Sequence, residues 1–158
     1  MDAAVPECAP VRRLVDTDNI LLTERACFWA NAYMELVYAD FTLINLFTRK
    51  SVAIRALVDT GATDVLVTPE IAKQLDFDLE EVSQKTVVMA DGRRVSAPRL
   101  APVEIRFGDR LVCTEVLVLA DECLVGVIAL EAMDLVVDPK GLRVIPNPKH
   151  PDGPCARA

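Results

Sequence analysis

Hydrophobic residues recur along this chain in short runs, several with a period of two, separated by turn-forming residues. Val103-Glu-Ile-Arg-Phe107 alternates strictly and predicts a half-buried strand, which Gly108-Asp109 turns into a long apolar strand from Leu111 to Leu119. Earlier strands are expected over Leu36–Ile44, over Ser51–Val58 (an apolar run that ends at Asp59) and over Val65–Val67. Thr86–Met89 and Arg93–Ala97 flank Asp91-Gly92, a pair that favours a hairpin between strand-like runs. Leu135–Val137 and Leu142–Ile145 lie on either side of a Pro139-Lys-Gly141 turn. Helical signals are brief. Thr68-Pro69-Glu70 supplies an N-cap, a proline at the first helical position and an acid in the first turn, so Ile71–Leu75 is expected to be helical. Ile128–Met133 suits a second short helix. Many short strands, tight turns and one or two short helices favour an all-β barrel or sandwich. No helix is long enough for repeated βαβ crossovers.

The 158 residues allow one domain plus tails. Residues 1–33 read as an N-terminal extension, mobile or helical, in which Ile20–Tyr33 can form a short amphipathic helix. Residues 34–147 hold the β pattern, and residues 148–158, rich in proline, read as a flexible tail. The first residues lack the basic start and apolar stretch of a signal peptide, and the apolar run Ala26–Ala39 is short and interrupted by Asn31 and Glu35. The expectation is a cytoplasmic protein with no membrane contact.

Charge and side-chain inventory narrow the chemistry. Asp and Glu number 24 against 17 Lys and Arg, and an acidic chain repels phosphate backbones, so nucleic acid is not expected as a partner. The single histidine, His150, lies in the tail, which leaves no residue placed to serve a Ser/His/Asp or Cys/His machine. Cys8, Cys27, Cys113, Cys123 and Cys155 form no C-x-x-C pair and no cluster with zinc-ligand spacing. Reduced, partly buried thiols are expected, with no metal and no cofactor.

The segment with chemical content is Ala56-Leu-Val-Asp-Thr-Gly-Ala-Thr-Asp64, followed by Val65-Leu-Val67. A buried strand runs into an acid, and apolar core resumes a few residues later. Thr60 can hydrogen-bond locally, and Gly61 permits close backbone approach. Taken alone, Asp-Thr-Gly fits an ordinary turn with a strand-end aspartate better than it fits a reactive site.

With its surroundings the segment resembles the retroviral-type aspartic proteases and their small bacterial single-domain relatives. Val58-Asp-Thr-Gly-Ala62 is similar to the family's catalytic loop, Val88-Met-Ala-Asp-Gly-Arg-Arg-Val95 to its flap hairpin, Leu124-Val-Gly126 to the element before its helix, and Ala129-Leu-Glu-Ala-Met133 to that helix. The similarity spans about Leu36 to Ile145, and four elements agree in order. It implies a small closed acid-protease barrel, a retropepsin-like half-pepsin domain. One Asp-Thr-Gly per chain then implies a homodimer in which Asp59 faces its own copy across a two-fold axis. Two carboxylates about 3 Å apart share one proton, and the pair activates water to hydrolyse a peptide bond. Asp59, Thr60 and Gly61 are implied as catalytic, with Thr60 bonding across the axis. Ala62, Asp64, Met89, Ala90, Asp91 and Gly92 are implied as substrate-binding. Leu124, Val125 and Gly126 are implied as support of the site. The implied partner is a peptide or protein substrate.

The match departs from the viral pattern at two positions. Viral members usually carry an Asp after Asp-Thr-Gly-Ala and an Arg after the later Gly, which help lock the dimer; here these are Thr63 and Val127. Losing both leaves no stranded charge, but the dimer then needs other contacts, for which Leu142–Ile145 is a candidate. The flap has a single glycine, Gly92, and is expected to be stiffer than the viral one. A catalytically inactive dimerisation or peptide-binding module is the second reading. An aspartyl-phosphate phosphatase is disfavoured, because Gly61 stands where a second acid is needed and the pattern is not α/β. Cleavage near Met34 by the enzyme itself is a further possibility that the viral relatives suggest.

Overall fold

In the computed structural model the described residues are 36–89, 91–119 and 121–155. The helix expected over Ile20–Tyr33, the candidate start at Met34 and the flap residue Ala90 lie outside them. The described strands are β1 (Tyr38–Asn45), β2 (Ser51–Asp59), β3 (Val65–Val67), β4 (Gln84–Val88), β5 (Arg94–Phe107), β6 (Arg110–Val118), β7 (Leu124–Gly126), β8 (Leu135–Asp138) and β9 (Arg143–Pro146). Two short helices accompany them, α1 (Pro69–Gln74) and α2 (Val127–Ala132).

Period-two patterning sets which side of each strand faces inward. Ala39, Phe41 and Leu43 of β1 are buried, as are Ile54, Ala56 and Val58 of β2, while Asp40 and Arg55 point to solvent. Val65 and Val67 of β3, Leu100, Val103 and Ile105 of β5, and Val116 and Val118 of β6 complete the same core. The strands run β1-β2-β7-β3-β6-β5, and pairing of β1 with β5 (Thr42 opposite Arg106 through Asn45 opposite Val103) closes the ring. The result is the small closed barrel that the resemblance implies, built here from six strands, with no free edge around that ring. β4 lies outside it, paired only with the first part of β5, and β8 and β9 form a separate two-stranded sheet.

Two strand expectations merge. The runs Arg93–Ala97 and Val103–Phe107 belong to one long strand, β5, rather than two. Pro98 and Pro102 lie between those runs and have no N–H to give to a ladder. Pro98 instead pairs with the outer strand β4, and at Pro102 the ladder with β6 slips register between Leu100 and Val103 without ending the strand.

Helix α1 forms where its caps predict. The Thr68 hydroxyl accepts from the Ile71 amide at 3.4 Å, and Pro69 opens the first turn. The helix stops in a double reverse bond: the Phe77 amide donates to the Ala72 carbonyl at 3.1 Å and the Asp76 amide to that of Lys73 at 3.0 Å. Asp76 takes the left-handed conformation this stop requires, with φ of 65°. The tail, read from its prolines as flexible, is bonded back to the body as far as Cys155. Asp134 accepts from Asn147 Nδ2 at 2.8 Å and from the Cys155 amide at 3.2 Å, and pairs with His150 Nδ1 at 2.6 Å. The buried Arg110 guanidinium donates to the His150 carbonyl at 2.6 Å. Among the described residues no helix is long and apolar enough to cross a membrane.

Candidate active site

Strand β2 carries Asp59 out of the core. Val58 is buried, Asp59 is half-buried, and Thr60 and Gly61 are exposed. The chain reverses at once, with the Ala62 amide donating to the Asp59 carbonyl at 3.2 Å. The Gly61 amide donates to Asp59 Oδ1 at 2.8 Å, so one carboxylate oxygen is fixed by the backbone of its own loop. A β-carbon on Gly61 would stand 3.1 Å from that oxygen, tighter than ordinary contact, so a side chain here would press on the Asp59 carboxylate. The Thr60 hydroxyl has no hydrogen-bond partner among the described residues of its own chain.

Strand β7 supports the loop from beneath. It runs parallel to β2, with Leu57, Val58 and Asp59 opposite Leu124, Val125 and Gly126, and it touches β3 on its other side through Leu124 and Leu66. The chain entering and the chain leaving the Asp59 loop therefore straddle β7. The Ala62 carbonyl accepts from the Val127 amide at 2.8 Å and the Thr63 carbonyl from the Ile128 amide at 3.4 Å. Both amides belong to the first turn of α2 and would otherwise lack partners. A β-carbon on Gly126 would lie 2.7 Å from the Ala62 carbonyl oxygen, a distance that only glycine avoids. The three residues Leu124, Val125 and Gly126 thus lie directly under the loop.

Asp64 ends the loop and faces charge. Its Oδ1 accepts from Lys85 Nζ at 2.9 Å, and the same ammonium pairs with Glu115 on β6. Glu115 also receives Arg99 Nη1 at 3.2 Å. Hydrogen bonds donated to Glu115 and then to Asp64 hold the Lys85 ammonium above its usual range, and the Lys85 bond holds Glu115 below the usual carboxylate range. This network went unread in the sequence. Its members are scattered over four segments, and no local motif joins Lys85 on β4 to Glu115 on β6.

The hairpin expected at Asp91-Gly92 forms between β4 and β5. The Met89 amide donates to the Arg93 carbonyl and the Gly92 amide to the Met89 carbonyl, each at 2.8 Å. Gly92 has φ of 81°, so the turn is closed by a glycine in the left-handed region rather than by a two-residue Asp-Gly turn. Asp91 braces the tip by accepting from the Arg93 amide at 3.0 Å and pairing with the Arg93 side chain. These bonds hold the Asp91 carboxyl below its usual range, the Arg93 amide first. The structure gathers Asp59, Thr60, Gly61, Ala62 and Asp64 with Leu124–Gly126. Among the described residues Met89, Asp91 and Gly92 belong to a separate hairpin, whose hydrogen-bonded link to the loop is Lys85. Thr63 and Val127, the two departures from the viral pattern, stand at the exposed end of the loop and at the start of α2; Ile128 beside them is 54% exposed.

Comparison with known proteins agrees with this geometry. Residues 47–131, just over half of the chain, match a family described as "Aspartyl protease". Among solved structures, the retroviral protease-like domain of Ddi1 from Leishmania major superposes with a TM-score of 0.50 at 17% identity, over 72% of this chain and 89% of that one. The shared fold is retropepsin-like. No curated protein matches the chain.

Proposed function

Because the chain belongs to the aspartyl protease family, we propose that it is an endopeptidase that works as a homodimer, with one Asp59 from each subunit. The observation that carries this reading is the setting of Asp59. Its carboxylate lies at the mouth of a loop, with one oxygen held by the Gly61 amide and the loop braced on Gly126 and α2. A single fixed carboxylate does not hydrolyse an amide by this chemistry, and the described chain contributes one Asp-Thr-Gly loop. A second copy related by a two-fold axis supplies the other acid. Two such groups about 3 Å apart hold one proton between them. The ionised member removes a proton from water as it attacks the carbonyl, and the protonated member donates its proton to the carbonyl oxygen; the first member then passes the water's proton to the departing amine as the second takes one back from the gem-diol. The titration then belongs to the pair rather than to either residue.

Thr60 is exposed with an unused hydroxyl, in the place where a bond to the partner's loop belongs. Ala62 and Asp64 line the substrate path, and the hairpin of Met89, Ala90, Asp91 and Gly92 covers an extended peptide and excludes water. Lys85 ties that hairpin to Asp64. With Thr63 and Val127 in place of a charged pair, the dimer depends on apolar contact around Val127 and Ile128.

Cleavage of a diverse peptide library, read by mass spectrometry, tests this. Wild type and Asp59→Asn are compared at several protein concentrations and at acidic and neutral pH. Cuts that vanish in the variant and rise more steeply than linearly with concentration are expected. A folded, dimeric wild type that cuts nothing would favour a catalytically inactive peptide-binding module, the reading to which the absent charged pair at Thr63 and Val127 lends weight.

A further inference from the structure

The end of the barrel remote from Asp59 presents an aromatic residue to solvent. Phe47, in the turn between β1 and β2, is 76% exposed. Asp59 ends β2 and the turn precedes it, so roughly 25 Å of strand separates the two. An exposed phenylalanine on a floppy turn would mean little. This turn is fixed. Asn45 is 2% exposed, and its Oδ1 accepts from the Phe47 amide at 2.9 Å and the Thr48 amide at 3.4 Å. The Arg49 amide donates to the Asn45 carbonyl at 2.8 Å, and Arg49 holds φ of 63°.

The same asparagine reaches a second aromatic segment. Asn45 Nδ2 donates to the Leu75 carbonyl at 2.9 Å, at the end of α1. Phe77 follows two residues later and is placed by the double reverse bond that stops this helix. Phe47 and Phe77 line an open groove of about 360 Å³, together with Val82, Ser83 and Ala101. Its rim is acidic, with Asp78 and Glu81 on the groove and Asp76 and Glu80 on an adjoining depression that shares Phe77 and Asp78. Two of the lining residues are cations. Arg99 is already engaged by Glu115 at 3.2 Å and by Ser83 at 3.0 Å, and Lys73 lies in the last turn of α1. The residues lining the groove and the depression therefore carry a negative balance, and the backbone that bears each aromatic ring is held by hydrogen bonds.

We propose that this groove is a docking site for a peptide segment that carries a large apolar anchor flanked by lysine or arginine, borne by the protein substrate. The anchor enters between Phe47 and Phe77, and the flanking cations meet Asp78, Glu81 and their neighbours. Recruitment of a substrate rests on the proteolytic reading above; the binding itself does not. A site so far from Asp59 tethers a protein without touching the bond to be cut, and raises the effective concentration of that bond at the catalytic loop.

The test uses the full chain with Asp59→Asn, so that binding is read whether or not the protein is a protease. The probe is a short fluorescein-labelled synthetic peptide with a leucine–phenylalanine pair between lysines, followed by anisotropy. Saturable binding is expected, with a Kd on the order of 10–100 µM, as suits a small interface. Phe47→Ala should weaken it about tenfold. Asp78→Lys combined with Glu81→Lys should abolish it, and added salt should weaken it. A matching peptide with glutamates in place of the lysines should not bind. Circular dichroism melting of each variant separates loss of the groove from loss of the fold. Absence of saturable binding would overturn the proposal, as would binding that ignores both substitutions in folded protein. If the wild type cleaves peptides, a substrate extended by the lysine-flanked segment should show a lower KM with kcat unchanged, and the gain should vanish in Phe47→Ala.

Discussion

Asp59 and Gly126 stand side by side at the ends of β2 and β7, and the glycine lies so close under the following loop that a β-carbon there would come within 2.7 Å of the Ala62 carbonyl oxygen. The atoms in the way are backbone, and they also bond the first turn of α2, so they cannot give without moving the loop. Gly126→Ala should therefore cost about 3 kcal/mol or prevent folding. Gly92→Ala is the contrast. It meets open space, and its cost comes only from φ of 81°, about 1–2 kcal/mol. Urea midpoints of the two variants check this, and a smaller loss for Gly126→Ala than for Gly92→Ala would contradict the packing argument.

Lys85 joins the outer strand β4 to the Asp59 loop through Asp64 and to β6 through Glu115. The groups are partly exposed, so after allowance for solvent screening Lys85→Met should cost only about 0.5–1 kcal/mol at neutral pH. The pH dependence is more telling. Glu115 is held below its usual range, so its contribution is present above the ordinary carboxylate pKa and lost as pH falls through the depressed value. Lys85 is held above its usual range, so its contribution is present below the ordinary lysine pKa and lost as pH rises through the raised one. The difference in stability between wild type and Lys85→Met should be greatest between these limits and shrink beyond both. A difference that stays flat from acid to alkali would show that the ion pairs contribute nothing.

Asp134 is the anchor of the C-terminal segment. Its carboxyl is held below the usual range first by the Asn147 amide, then by His150 and the Cys155 amide. The sign follows from a depressed folded value: the anchorage is present above the ordinary carboxylate pKa and fades as pH falls through the lower one. Asp134→Asn should raise amide exchange over residues 147–155 at neutral pH to the level that wild type reaches only in strong acid. Equal protection of that segment in both proteins would show that its hold lies elsewhere.

How much of this was legible in the sequence depended on range. The strand–acid–glycine run at Asp59, the Thr68-Pro69 helix start and the alternation over Val103–Phe107 are local, and each formed where local chemistry predicts. Closure of the barrel followed from the resemblance of four ordered elements, because the pairing of β1 with β5 leaves no local mark. The Lys85–Asp64–Glu115 network, the Arg110–Asp134–His150 anchorage and the reach of Asn45 to Leu75 were not legible, since each joins residues far apart in sequence. His150 shows the limit well: as a lone histidine among prolines it suggested a loose tail, and its bond to Asp134 depends on a corner 16 residues away. The merging of two runs into β5 was not legible either: at Pro98 and Pro102 an outer pairing and a register slip accommodate the missing N–H groups within the strand.

The hairpin tip offers the last prediction. A flap with a single glycine is expected to be stiff, and the bonding around it gives that expectation a physical basis. The amides of Met89, Gly92 and Arg93 are all engaged, by the Arg93 carbonyl, the Met89 carbonyl and Asp91 Oδ1. Stiffness here rests on the Asp91 bonds more than on burial, since Asp91 and Gly92 are exposed. Amide exchange at Gly92 and Arg93 should therefore be as slow as in β5, and Asp91→Ala should accelerate it by about tenfold. Because the Asp91 carboxyl is held below its usual range, the wild-type protection should persist to mildly acidic pH and fall only as that depressed value is crossed. Rapid exchange in the wild type, unaffected by the substitution, would mean a tip that opens freely.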